Sequence, residues 1–393
     1  MNKPRKVSLG DLISLRRGYD LTKQEMQGGQ IPVVGSNGII GFHNVSNVSS
    51  PCLTVGRSGT VGIPHIYKTD CWAHNTCLYV EDFKGNEPDY IYYLLKVLKL
   101  EKMASSTGVP TLNRNFVHPL SVVAYSSRAI QRCIAQVLLL LDKKISLNDS
   151  INTSLEKIAK TLYDYWFVQF DFPDENKRPY KSSGGKMVYN EVLKREIPAS
   201  WEVKKFNEYA TIGSGFSFCS KDYIKNGAWK IITIKNVQDG NLNLSDVATI
   251  ADIPDSIPDF VKLEIGDVLI SLTGNVGRMC LVCSDNCLLN QRVGKLLTDY
   301  RFLLFAYLFL SSPANRVRME QISNGSSQQN LSPIQAVDFP FAVPDKKVLE
   351  RFNQIIAPTY KRMMLNNIQS EYLKNIRDFL HPMLMNGQVT INS

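Results

Sequence analysis

The chain has 393 residues, 44% of them hydrophobic, enough for two or three domains with their own cores. No stretch approaches ~18 consecutive apolar residues, and the basic opening residues precede no apolar run, so neither a membrane helix nor a signal peptide is expected. Eight cysteines without an export signal point to a reducing cytoplasm and free thiols, and the net charge of +9 favours a polyanionic partner, nucleic acid first.

Residues 1–125 read as a mixed α+β unit. Leu9 to Ile13 opens it with a short turn of helix or strand. Strands are expected at 31–34, before a turn at Ser36, Asn37 and Gly38, and at 51–55, running into the hairpin turn GRSGTVG from Gly56. Further strands fall at 63–67 and 76–80. Positions 89–102 carry Tyr90, Tyr93, Leu94, Val97 and Leu98 on one helical side. The polar loop SSTGVPTLNRN from Ser105 and a strand at 120–125 follow.

One apolar stripe then runs along 127–166 through Ile130, Ile134, Leu138, Leu141, Ile145, Ile151, Leu155, Ile158 and Leu162, mostly in steps of three and four. Forty residues at ~1.5 Å each make roughly 60 Å of helix. A narrow stripe on so long a helix needs a partner helix, and a shift of 218 positions finds one. That shift carries Ile134 onto Phe352, Ile145 onto Met363, Asn148 onto Asn366, Leu155 onto Leu373, Ile158 onto Ile376 and Leu162 onto Leu380. A match at this spacing is a domain duplication. Asn148 and Asn366 occupy the polar gap in each stripe, where an antiparallel pair would bring them together and fix register; an exposed Asn on an irregular stripe is the other reading.

Residues 170–190 are rich in Pro, Gly, Ser and charge, with little that could pack, and read as an exposed linker. The second unit repeats the first in order. Gly215 and Phe216 stand for Gly18 and Tyr19, TGNVGR from Thr273 for SGTVGI from Ser58, and Asn290 and Gln291 for His74 and Asn75. The loop from Ser323 stands for the loop from Ser105. The second helix is expected from 346 to 381, kinked at Pro358 and ended by Pro382, with a turn and a short strand after it.

Catalytic signatures are missing. No GxxxxGK[ST] occurs, no Asn/Asp-Pro-Pro-aromatic tetrapeptide, and no GxGxxG opening a helix. Glu175 to Lys177 after Pro173 and Asp174 has no strand to present it as a nuclease site. Cys280, Cys283 and Cys287 lack a fourth ligand at a telling spacing and read as structural thiols. His43, His65, His74, His118 and His381 pair with no carboxylate or nucleophile; His381 reads as a cap-region residue.

Binding chemistry remains. In the first half Arg57, Ser58, Thr60, Asn75, Asn113 and Arg114 are candidates for base edges, with Arg16, Arg17 and Lys23 for phosphates. In the second half they are Thr273, Asn275, Arg278, Gln291, Arg292, Gln328 and Gln329, with Lys221 and Lys235 for phosphates.

WFVQFDFPDENKRPYKSSGGKMVYNEVLKREIPASWEV from Trp166 carries a family resemblance, supported by TGNVGR, LNQRVGKL from Leu289 and LMNGQV from Leu384. Over essentially its whole length the chain resembles the specificity (S) subunit of bacterial type I restriction-modification systems. The resemblance implies an α+β chain with target-recognition domains at 1–125 and 197–344. Spacer helices at 126–167 and 345–393 would pack as an antiparallel coiled coil, with a linker at 168–196. It implies a cytoplasmic, non-catalytic reader of double-stranded DNA, each domain addressing half of a bipartite site and the helices acting as a ruler. Two modification subunits and the restriction (translocase) subunits would be partners. S-adenosylmethionine, ATP and Mg would bind only those partners. A coiled-coil adaptor and a fused methyltransferase or nuclease are the alternatives.

Overall fold

Each long helix serves two units. The computed structural model describes residues 3–26, 28–103, 110–323 and 329–389. One unit comprises Met1–Ser146 with Glu371–Ser393, the other Leu147–Ser370. The long helices span Arg128–Tyr163 and Lys346–Asn386, so the units divide both of them rather than setting them apart as separate elements.

In the first unit, Ser8 and Asp11 form a capping box that starts the short helix Leu9–Leu12. A four-stranded antiparallel sheet follows, in the order Ser14–Arg17, Cys77–Asp82, Cys52–Gly56, Pro64–Tyr67. The Cys52–Gly56 strand is buried along its whole length, Thr54 included. A smaller sheet joins Ile31–Gly35 antiparallel to Gly38–His43 and parallel to Trp72–Ala73. The helix Pro88–Leu98 buries Tyr90, Ile91, Tyr93, Leu94 and Leu95. It stops at Lys99, whose left-handed φ of 49° turns the rest of the expected helix into a 3-10 turn, Leu100–Met103. Ile134, Ala135, Leu138, Leu384 and Met385 of the long helices complete this core. On its edge Arg377 donates to Asp142 at 2.7 Å, and the Tyr93 hydroxyl donates to the other carboxylate oxygen at 2.7 Å.

The second unit repeats the plan. Its main sheet runs Ala210–Ser214, Val293–Thr298, Val268–Ser271, Met279–Leu281, and Trp229–Ile232 lies parallel to Cys287–Leu289. Glu202–Lys205 pairs with Pro340–Val343 as Arg5–Ser8 pairs with Ser121–Ala124. The helix Tyr300–Leu310 takes the place of Pro88–Leu98. Its Phe305 packs with Tyr163 and Phe167, and Phe167 with Phe352, in a core built largely of aromatic rings.

The polar gap in the stripe is a buried layer. Asn148 is 0% and Asn366 2% exposed. The Asn148 amide donates to Ser370 Oγ at 3.1 Å and Gln369 Oε1 at 3.0 Å, and Asn366 donates to Asn152 Oδ1 at 2.8 Å. Asn148 thus meets 370 while Asn152 meets 366, the crossed register of antiparallel segments in this unit.

Several expectations need correction. The seam does not include Ile158 or Ile376, which are 59% and 46% exposed. At 3.6 residues per turn the buried face has drifted on to Ala159, which is buried, and Arg377, which pairs with Asp142. Ile134, Ile145, Phe352 and Met363 are buried, and Leu141, Leu155, Leu162, Leu373 and Leu380 half-buried. The linker is not bare: Phe170 and Phe172 are buried, Phe172 stacks on Trp201 at 5.4 Å, and Asp171 accepts from Ser182. A five-residue π-helical turn, Asp164–Val168, and a hairpin of Met187–Asn190 with Arg195–Pro198 tie it down. The second helix continues through Pro358 and Pro382. Both prolines are exposed, where water can satisfy the carbonyls they leave open. Gly387, at φ 73°, ends the helix, with Gln388 N–H reaching the Met383 carbonyl at 2.9 Å. His381 is therefore helical; its Nε2 meets the Tyr93 carbonyl at 2.9 Å.

The cysteines are not all reduced: Cys52 and Cys71 form a disulfide, next to a backbone bridge between Val48 and Cys71 that holds residue 71 close to the start of the buried strand. Cys280, Cys283 and Cys287 are buried in the second unit's core. Burial pushes the Cys287 thiol up to about 11. Residues 105–109 and 324–328 of the two polar loops, and 390–393 of the expected closing strand, lie outside the described residues.

Candidate nucleic-acid interface

The two units share a backbone scaffold at the loops expected to carry the site. Gly18 N–H donates to the Cys77 carbonyl at 3.0 Å and Gly215 N–H to the Val293 carbonyl at 3.1 Å. Tyr19 N–H meets Ala73 O, and Phe216 N–H meets Leu289 O, both at 2.8 Å. Isolated parallel bridges join Tyr19 to His74 and Phe216 to Asn290; antiparallel ones join Ser58 to Thr111 and Thr273 to Asn330. Leu112 N–H meets Arg57 O, and Leu331 N–H meets Leu272 O, again at 2.8 Å. A side chain at Gly18 or Gly215 would collide with the carbonyls opposite, so glycine is required there by close approach.

This scaffold opens an equivalent cleft in each unit. The first, of about 420 Å³, is lined by Arg16, Arg17, Arg57, Asn113 and Arg114 together with Thr111. The second, of about 670 Å³, is lined by Thr273, Gln291, Arg292 and Gln329 together with Ser214 and Asn330. In each, a side-chain cap starts a short helix at the rim. Asn113 accepts from Asn115 N–H, and Ser332 accepts from Gln335 N–H. The first cleft gathers four arginines; the second is mainly amide and hydroxyl with one. The Thr273 hydroxyl is buried with no hydrogen-bond partner among the described residues, leaving a donor and acceptor at the cleft wall.

Other charges steady the walls. Arg16 pairs with Glu81 at 2.6 Å and Arg17 with Asp20 at 3.4 Å, both exposed and weak in water. The Arg57 guanidinium donates to the Asn75 carbonyl at 3.3 Å. Leu15 N–H donates to His118 Nε2 at 3.0 Å, fixing the strand that carries Arg16 and Arg17. Burial, then the charges of Arg114 and Lys84, hold His118 below the usual histidine range.

The remaining candidates sit elsewhere. Asn75 donates to Asp20 beside the first cleft. Ser58 and Thr60 lie on the turn, half-buried, and Lys23 is exposed on a separate turn. Asn275 is exposed on the matching turn. Arg278 is held by Gln238 Oε1 at 2.8 Å. Lys221 and Lys235 are exposed, and Gln328 lies outside the described residues. Sequence reasoning missed Thr111, Ser214 and Asn330; Thr111 and Asn330 reach the clefts only through pairings between distant loops, which leave no local signal. Among the described residues no group of His, Cys, Asp or Glu could hold a metal ion, and no helix is long and apolar enough to cross a membrane.

The fold is duplicated, with a polar cleft at the same place in each copy of a basic chain. Residues 2–157 and 198–371 match the family model of the type I restriction modification DNA specificity domain, and the chain belongs to that family. It is 24% identical over 334 residues to the MjaIX type I restriction enzyme specificity subunit of Methanocaldococcus jannaschii, covering 78% of this chain and 70% of that one. The HindI specificity subunit of Haemophilus influenzae is 21% identical over 359 residues, 77% of each chain. The crystal structure of the type I restriction-modification system S subunit from M. genitalium shares the fold with a TM-score of 0.63. That match has 16% identity and covers 98% of this chain and 96% of that one.

Proposed function

We propose that the chain is the non-catalytic specificity subunit of a type I restriction-modification complex, with each unit reading one half of a bipartite site in double-stranded DNA. The matched clefts carry this reading. The same hydrogen-bonded loops recur in both units but hold different side chains, arginines in one and amides in the other, as two different half-sites require. The basic side chains supply salt-sensitive phosphate binding. The functional division is recognition domains at 1–125 and 197–344, with the two long helices as an antiparallel coiled coil between them. The crossed bonds of Asn148 and Asn366 support that pairing. A second apolar stripe, exposed at Leu140, Leu147 and Ile158 and again at Leu365, Ile376 and Phe379, supports docking of two modification subunits on the outer helix faces. S-adenosylmethionine, ATP and Mg belong to the modification and restriction subunits, and the complex acts on DNA in the cytoplasm.

The test is methylome sequencing of a host expressing the neighbouring modification subunit with and without this chain. A bipartite methylated motif that appears only with the chain is expected. Unchanged methylation, together with no enriched sequence when the chain selects from random duplexes, would overturn the reading.

A further inference from the structure

Beside the polar clefts, each unit holds an aromatic side chain, at matching positions of the repeat, that the readout by arginines and amides does not use. Tyr19 follows Gly18 and Phe216 follows Gly215, and each is pinned by the same 2.8 Å backbone bond and the same parallel bridge. Both adjoin reading residues. Tyr19 lies between Arg17 and Asp20, which pair at 3.4 Å, and Asp20 accepts from Asn75. The Phe216 carbonyl accepts from Gln291 N–H at 2.9 Å.

Both rings are braced from behind. Tyr19 lies against Tyr79 at 6.3 Å and the edge of Trp72 at 6.4 Å, yet stays 41% exposed. Phe216 meets Phe218 edge-on at 5.1 Å and lines an open cleft of about 560 Å³ that also has Asp222 and Asp252 on its wall. A rigid, partly exposed ring beside polar readers is suited to the one apolar group on the major-groove edge of DNA, the 5-methyl of thymine. Residues chosen for hydrogen bonding cannot report that methyl, because it neither donates nor accepts.

We propose that Tyr19 and Phe216 are equivalent apolar readers, each packing against a thymine methyl in its own half-site. This rests on the DNA-reading function proposed above and adds to it the residue and the chemical group.

The test uses the full chain and the duplex it enriches from a random pool. Each thymine is replaced by uracil, one at a time, which removes the methyl and nothing else. Binding is measured for the parent, Tyr19→Ala and Phe216→Ala. The parent should lose about fourfold at one thymine in each half, the worth of one buried methyl. Tyr19→Ala should be blind to the change in one half only, Phe216→Ala in the other, so the untouched half certifies that each variant is folded. Tyr19→Phe, which keeps the ring, should retain the sensitivity. The inference is overturned if the parent and both variants respond alike at every thymine while the enriched sequence persists, or if either enriched half lacks an A·T pair. If no sequence is enriched, the proposed function fails and this inference falls with it.

Discussion

Asn148 donates to Ser370 Oγ at 3.1 Å, and the same bond recurs under the internal repeat as Asn366 to Asn152 at 2.8 Å. Both asparagines are buried, so their amides have no water to fall back on. Asn148→Ala would leave the buried Ser370 hydroxyl without this partner, at a cost of about 1–3 kcal/mol. Replacing Asn148 and Ser370 together by Ala should cost less than the two single changes summed, because donor and acceptor leave together. Urea denaturation of the four proteins measures this; strictly additive losses would show that the layer is not coupled.

His118 links solution pH to the first cleft. Its Nε2 accepts the Leu15 N–H, so the ring proton sits on Nδ1, and a second proton on Nε2 would break the bond. The folded pKa is depressed, so the bond's stabilisation is complete above the ordinary value of about 6.5 and is lost as pH falls through the lower folded value. Binding measured between about pH 7.5 and 5.5 should weaken for the half-site read by the first unit, beyond any change in the other half. His118→Gln, whose side-chain oxygen accepts the same bond without titrating, should flatten that difference. A pH response unaltered by this change would remove His118 from the account.

The repeat made much of this legible. Gly18 with Tyr19, and Gly215 with Phe216, could be aligned from sequence because each copy vouches for the other, and the structure gives both pairs the same bonds. The Asn148 layer showed for the same reason. Phe170 and Phe172 were obscured by the polar residues around them, since the stack of Phe172 on Trp201 joins positions 29 apart, on either side of a loop. Ile158 was misplaced because a stripe extrapolated from its first turns ignores the drift of a helix against a 3.5-residue repeat. The Cys52–Cys71 disulfide depends on a turn that returns residue 71 to the buried strand, a long-range outcome that cysteine spacing does not encode.

Positioning and reading should separate by residue. Lys221 and Lys235 are exposed outside the clefts, whereas Arg57 and Arg292 line them. Lys235→Ala should weaken binding to every duplex alike and lower the slope of log affinity against log salt by about 1. Arg292→Ala should instead relax one base pair in the second half by ~1–3 kcal/mol, and Arg57→Ala one in the first. Affinity over a panel of single base changes decides the matter. Uniform loss from each arginine substitution would sink the assignment of these residues to base readout.

The sharpest test of independence between the two readers uses their glycines. A methyl at Gly18 would strike the carbonyl oxygens of Ala73 and His74, and one at Gly215 those of Leu289 and Asn290. In each case the backbone opposite must retreat, carrying the neighbouring Asn75 or Gln291 with it, for a strain on the order of 1–3 kcal/mol. The clash is with backbone rather than with a flexible side chain, so it cannot be relieved without moving the reading loop. Gly18→Ala should therefore degrade discrimination in one half-site and leave the other intact, and Gly215→Ala should do the reverse. Selection from random duplexes reads both halves in one experiment, so each variant carries its own control. Equal blurring of both halves by either variant would mean that the units do not read separately, and loss of neither would mean that these loops do not touch the bases.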